Sequence, residues 1–187
     1  MIGFAVTGSF CNFASAFGVM EELKARFGEV LPIFSYNASS LDTRFGKARE
    51  HIARAQEITG KKAVLTLQEA EPLGPKVKLE ALVICPCTGN TLAKLAHGIY
   101  DTPVTLAAKA HLRTGRPLIV ALATNDALAG NFENLAAMAK RKHVYFVPLC
   151  EDDPVGKPYS LVCDFSRVAE TAAKAMAGEE VRPFFGG

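Results

Sequence analysis

No stretch of the 187-residue chain approaches the roughly 18 consecutive apolar residues that a membrane-spanning helix needs; Pro117–Ala123 is the longest relevant run and is far too short. The opening Met1-Ile2-Gly3-Phe4 has no basic stretch ahead of a long apolar one, so no secretory leader is expected. Neither sign of charge is in excess. With 21 Lys and Arg against 19 Asp and Glu, the net charge of +2 argues against nucleic acid or an anionic membrane surface as the main partner. Five cysteines are an odd number, and their spacing is not that of a disulfide framework. Apolar residues at 49% and charged residues at 21% exclude a disordered chain. What remains is a soluble, cytoplasmic, mostly reduced protein, expected as one domain over residues 1–187.

The chain that is left has a rhythm of short apolar run, turn and helical stretch. Strands are expected at Ile2–Thr7, Val30–Phe34, Ala81–Cys85, Leu118–Ala123 and Val144–Pro148, with Pro32 removing one ladder donor from the second. Helices are expected at Ala14–Phe27, Arg44–Thr59, Thr88–His97, Leu128–Arg141 and Ser166–Met176, and from the Asp101-Thr102-Pro103 start to about Arg113. Ala63–Leu67 fits either a short strand or the lead into a helix. The tail Val181–Gly187 is expected to fray, the alternative being that it docks on a neighbouring chain. Strands alternating with helices predict an α/β fold, a three-layer Rossmann-like or flavodoxin-like parallel sheet with helices on both faces.

In such sheets ligands bind beyond the carboxyl ends of the strands. Four segments fall there: Thr7-Gly8-Ser9-Phe10, Ser35-Tyr36-Asn37, Cys85-Pro86-Cys87-Thr88-Gly89-Asn90-Thr91 and Ala123-Thr124-Asn125-Asp126. All are rich in small, hydroxyl or amide side chains, and none carries Lys or Arg. They offer backbone N–H groups at helix N-termini, which suits a phosphate-bearing cofactor. The dinucleotide glycine pattern is missing, because Gly3 and Gly8 are followed by no glycine until Gly18. The second strand also lacks a terminal acid for a ribose, and the Gly-Lys-Ser/Thr of nucleotide-triphosphate loops is absent. A mononucleotide remains, and flavin mononucleotide (FMN) is the common one in this architecture. The competing reading is that these Ser and Thr residues only cap helices.

Three of these stretches carry a family resemblance. Thr7-Gly8-Ser9, the run from Pro86-Cys87-Thr88-Gly89-Asn90-Thr91 through Ala96, and Thr124-Asn125-Asp126-Ala127-Leu128 resemble the flavoprotein family of flavin-containing cysteine decarboxylases and flavin prenyltransferases. Asp42-Thr43-Arg44-Phe45-Gly46, Ala70-Glu71-Pro72-Leu73-Gly74-Pro75-Lys76, Asp101-Thr102-Pro103-Val104, Ala107-Ala108-Lys109-Ala110 and Asp152-Asp153-Pro154 narrow it to the small-subunit family of dipicolinate synthases. The resemblance runs from Ile2 to about Pro158. It implies a sporulating bacterium's mother cell and a larger partner, the large subunit of dipicolinate synthase, that binds the nicotinamide cofactor NAD(P). Together the two oxidise a dihydrodipicolinate to pyridine-2,6-dicarboxylate. It also implies a homo-oligomer built of trimers. Carried onto this chain, it puts the flavin phosphate at Thr7, Gly8, Ser9, Ser35 and Thr88 through Thr91 and the ring near Cys87, Gly89, Thr124 and Asn125, with Phe10, Asn37 and Pro86 also among the cofactor-binding residues.

Departures from the wider family matter. His51 is the one histidine near the early helix where cysteine decarboxylases keep a catalytic histidine, and its flanks do not match; the prenyltransferases' charged set is not found. A stand-alone FMN-dependent decarboxylase and a non-catalytic mononucleotide-binding or assembly module therefore stand as the alternatives. Arg44 and Lys109 are the candidate cations for a small dicarboxylate substrate. Cys85 is expected to be inert packing, Cys87 a small filler in the ligand loop, and Cys11 a weak redox candidate. His97 and His143 suit helix C-termini, and His111 a packing face. No histidine pair has metal-ligand spacing, so no metal is expected. No residue stands out as the catalytic acid or base.

Overall fold

The apolar runs of the sequence lie side by side in one sheet. The computed structural model describes residues 1–186. Strands β1 (Ile2–Val6), β2 (Val30–Phe34), β3 (Ala81–Cys87), β4 (Leu118–Thr124) and β5 (Val144–Phe146) run parallel. All residues of β1 and β3 are buried. Strands buried on both faces must be apolar throughout, which is why they were visible as continuous runs. Pro32 is tolerated because its missing N–H faces outward. Phe34 N–H donates to Val64 O at 2.9 Å on that side, where Val64 makes only a single bridge to Ile33.

Helices cover both faces. Helices α1 (Phe13–Phe27) and α8 (Val168–Met176) pack together on one face, with α3 (Ala48–Thr59) against α1. Helices α5 (Gly89–Ala96), α6 (Pro103–Leu112) and α7 (Phe132–Ala139) cover the other. The short α2 (Tyr36–Ser40) and α4 (Leu67–Ala70) complete the set. Thr88 and Thr102 cap α5 and α6, each accepting a backbone N–H of the first turn, and Pro103 opens α6. Ala63–Leu67 divides between the two expected forms: Val64 bridges to Ile33 and Leu67 begins α4.

Four expectations change. Two antiparallel strands, β6 (Leu149–Asp153) and β7 (Lys157–Cys163), extend the parallel sheet. Strand β4 splits its free edge, pairing through Leu118–Val120 with β5 and through Ala123–Thr124 with β7. The order is β2-β1-β3-β4-β7-β6, with β5 also on β4. The helix expected from Arg44 begins only at Ala48. Thr43 and Gly46 exchange backbone hydrogen bonds in a tight turn, with Gly46 at φ 132° and a Cβ there 2.8 Å from the His51 ring. The helix expected from Leu128 begins at Phe132, because Asp126 folds the preceding segment into a turn that takes the Ala129 and Asn131 N–H groups on its carbonyl.

The C-terminal tail does not fray over its described residues; it packs on its own chain. Leu149 N–H donates to Phe184 O at 2.9 Å, and Gly186 N–H donates to Leu149 O at 2.8 Å. The Phe184 ring lies 5.8 Å from that of Phe146. Gly187 lies outside the described residues.

Candidate functional site

In the strand order, β2 and β3 leave β1 on opposite sides, so the loops after β1 and β3 diverge and open a crevice at the carboxyl edge. A cavity of about 920 Å³ occupies it. Gly8, Ser9, Phe10, Thr88, Gly89, Asn90, Thr124 and Asn125 line it, which joins three of the four expected segments. Cys11, Asn12, Phe45, Asp126 and Asn131 also line it. The hairpin of β6 and β7 closes its far side with Asp152, Gly156 and Lys157 through Ser160.

The other expected residues stand behind this wall. Thr7 is buried and ties two strand ends together. Its hydroxyl donates to Pro86 O at 2.8 Å and accepts the Thr88 N–H at 2.9 Å. Thr88 Oγ1 in turn donates to Thr91 Oγ1 at 3.1 Å and accepts the Thr91 N–H at 3.2 Å. Ser35 caps α2 by accepting the Ala38 N–H at 3.3 Å, and the Asn37 Cβ lies 3.6 Å from where a Cβ on Gly8 would stand. Cys85 and Cys87 are both fully buried; burial lifts the Cys85 thiol far above its usual range and pushes Cys87 up to about 12. Both are therefore neutral packing groups, while Cys11 is exposed on the cavity wall.

Arg44 and Lys109 are absent from the cavity wall. The Arg44 guanidinium lies 4.8 Å above the Phe45 ring at the tip of the Thr43–Gly46 turn, and the Lys109 ammonium 4.8 Å above Tyr100. The cation on the wall is Lys157, which the sequence reading missed because it lies in the unrecognised hairpin. Its ammonium is 2.6 Å from Asp152 Oδ2, and that contact raises its pKa.

A polar knot sits over the first turn of α5. Asp126 Oδ1 accepts from Thr124 Oγ1 at 2.5 Å, and both carboxylate oxygens accept from Asn131 Nδ2 at 2.9 Å. Asn131 Oδ1 then accepts from Asn134 Nδ2 at 2.9 Å. A Cβ on Gly89 would lie 2.5 Å from both Asn131 Nδ2 and Thr124 Oγ1, so only glycine lets the helix start approach so closely. The Gly89 and Asn90 N–H groups have no carbonyl one turn earlier in the helix to bind.

The histidines sit outside this wall. His51 packs edge-on to Phe13 at 4.8 Å, and Phe13 lies 5.2 Å from the cavity-lining Phe10. Its Nε2 is buried without a partner, and burial lowers its pKa. His111 is fully buried, with Nε2 2.9 Å from Pro117 O, and burial lowers its pKa too. His143 lies beyond the end of α7, at φ 65°, in the turn into β5.

The sequence profile of the family described as Flavoprotein matches residues 1–178. The B subunit of dipicolinate synthase from Bacillus subtilis (strain 168) is 40% identical over 182 residues, covering 97% of this chain and 91% of its own. The crystal structure of the dipicolinate synthase B subunit from Bacillus halodurans C superposes with a TM-score of 0.90 at 37% identity, over 100% of this chain and 95% of that one. The FMN-dependent cysteine decarboxylase SpaF shares the fold, with a TM-score of 0.68 at 21% identity over 93% of this chain and 95% of its own. Among the described residues, no helix is long and apolar enough to cross a membrane.

Proposed function

Because the chain belongs to the flavoprotein family, we propose that it binds FMN in the crevice beyond β1, β3 and β4 and serves as the small subunit of a dipicolinate synthase. The observation that carries this is the 40% identity to a dipicolinate synthase small subunit over 97% of the chain, together with a crevice of the right chemistry.

The residues present fit such a group. A cavity of about 920 Å³ is within the ordinary range for cofactor sites. The free first-turn amides at Gly89 and Asn90, beside Ser9 and Gly8, suit a phosphate dianion. The Thr7 bridge fixes the relative position of the two phosphate-side loops. The Asp126 knot fixes Thr124 and Asn131 beside Gly89, where the edge of a planar ring needs oriented hydrogen-bonding groups. Bound FMN supplies a two-electron acceptor beside the substrate.

Oxidation of a dihydrodipicolinate to the aromatic dicarboxylate releases a hydride and a proton. In the proposed assembly the large subunit would hold NAD(P), which would supply a hydride acceptor, and the role of this chain is to hold the dihydropyridine in position and keep water away with the hairpin. The chain works in the mother cell of a sporulating bacterium as a homo-oligomer built of trimers. Exposed Leu41, Phe45 and Phe132 offer apolar surface for such contacts.

The test is the visible spectrum of the purified protein and the mass of whatever is released on denaturation. A flavin spectrum with released FMN supports the cofactor; a colourless protein that takes up no added FMN rejects it. Dihydrodipicolinate oxidation that appears only when the large subunit is added supports the two-subunit reading. Equal turnover without it rejects that reading, and carbon dioxide release without a partner marks a decarboxylase instead.

A further inference from the structure

A dicarboxylate entering this cavity meets walls that are neutral or acidic at every residue but one. Asp126 and Asp152 line it, and Lys157 is the one cation among the described residues that does. Asp126 is already engaged by Thr124 and Asn131, so its charge is fixed on the α5 side. Lys157 is different. It begins β7 directly after the hairpin turn, its side chain is 55% exposed, and its ammonium rests on Asp152 Oδ2. Asp152 is held from behind, where Ser160 Oγ donates to the same oxygen at 3.4 Å. Contact with Asp152 raises the lysine's pKa, the direction that favours the ammonium form.

An exposed lysine–aspartate pair contributes little, so another carboxylate can take the place of Asp152 on the ammonium at small cost. The amide-rich end of the cavity, at Gly89 and Asn90, is already suited to a phosphate without any side-chain cation. The hairpin end is where a second anion finds its counter-charge.

Resting on the reading above, we propose that Lys157 anchors a carboxylate of the substrate, and that Asp152 is the internal competitor that the substrate displaces. The pair makes the affinity for a dicarboxylate adjustable in both directions. Removing the lysine weakens binding, and neutralising its competitor strengthens it. A purely structural ion pair gives loss or no change in both variants.

The test titrates FMN-loaded protein, with and without the large subunit, with pyridine-2,6-dicarboxylate and follows flavin fluorescence or heat. Lys157→Gln is expected to weaken binding about tenfold, the usual scale for a charge-assisted hydrogen bond. Asp152→Asn is expected to tighten it about threefold, a gain that misfolding cannot produce. Lys157→Gln is also expected to keep the wild-type ratio of FMN to riboflavin affinity. If that variant loses FMN affinity but not riboflavin affinity, the lysine serves the cofactor phosphate and the proposal fails. If wild type binds the dicarboxylate and Lys157→Gln binds it equally, the anchor fails and the functional reading stands. If wild type binds none, with or without the large subunit, both fail together.

Discussion

The two sides of the cavity are built on different principles. On the parallel-sheet side, the loops after β1, β3 and β4 are held from behind by buried and part-buried hydrogen bonds, the Thr7 bridge between β1 and β3 and the Asp126 knot beside Gly89. On the hairpin side, Glu151 through Tyr159 are all exposed, Lys157 pairs with Asp152 at the surface, and Asp153 accepts only the Gly156 N–H. A wall fixed by buried polar bonds holds one geometry, which suits a resident cofactor. A solvated ion pair can exchange partners, which suits a ligand that comes and goes.

The sharpest way to break this contrast is to loosen the fixed side. Thr7→Val keeps the shape but leaves Pro86 O and the Thr88 N–H without their partner. A loss of about 3 kcal/mol in chemical denaturation is expected, with release of flavin from the folded protein. A change below about 0.5 kcal/mol would show that side to be no better fixed than the other. Gly89→Ala comes next. The added methyl meets Asn131 and Thr124 at 2.5 Å, so about 2 kcal/mol of destabilisation and weakened flavin retention are expected in thermal melts and equilibrium dialysis.

Acid sharpens the contrast more gently. Burial lowers the folded-state pKa of His51 and His111 below the unfolded value of 6.5. The unfolded chain therefore binds more protons as the pH falls through that region. The stability tied to these neutral rings is complete above about 6.5 and declines as the pH drops toward their lowered values. His51→Phe, in a nest of Phe13 and Phe17, should flatten the fall in melting temperature between pH 7 and 5. An unchanged slope would assign the effect elsewhere. The lowered carboxylate of Glu69 enters only below its ordinary value of 4.5. The smallest effect belongs to the hairpin tip: Val155, 95% exposed, should tolerate serine within about 0.5 kcal/mol by melting.

The same contrast explains what the sequence disclosed. The fixed side was legible because burial on two faces demands apolar runs, and turns at strand ends demand Thr, Ser, Asn and Gly. Gly8, Ser9, Thr88, Gly89 and Thr124 were found in this way. The hairpin escaped because its burial does not alternate: β6 is buried only at Leu149, and β7 begins with three exposed residues. Without a period of two there is no strand signal. Asp126 and Asn131 were hidden in a stretch whose Ala127, Leu128 and Leu135 mimic a helix. A carboxylate–amide contact, invisible to periodicity, folds that stretch into a turn instead. Lys157 was out of reach because its value comes from which wall it stands on.

One feature of the fold bears on how the protein behaves in concentrated solution. Two outer strands of the sheet are each met by a single bridge from the chain itself, Val64 on β2 and Phe185 at the base of β6. An uncovered margin is a template on which another chain can add a strand. Phe184 through Gly186 cover the Leu149 end of β6, and removing them is expected to raise light scattering in concentrated solution before it changes ligand binding.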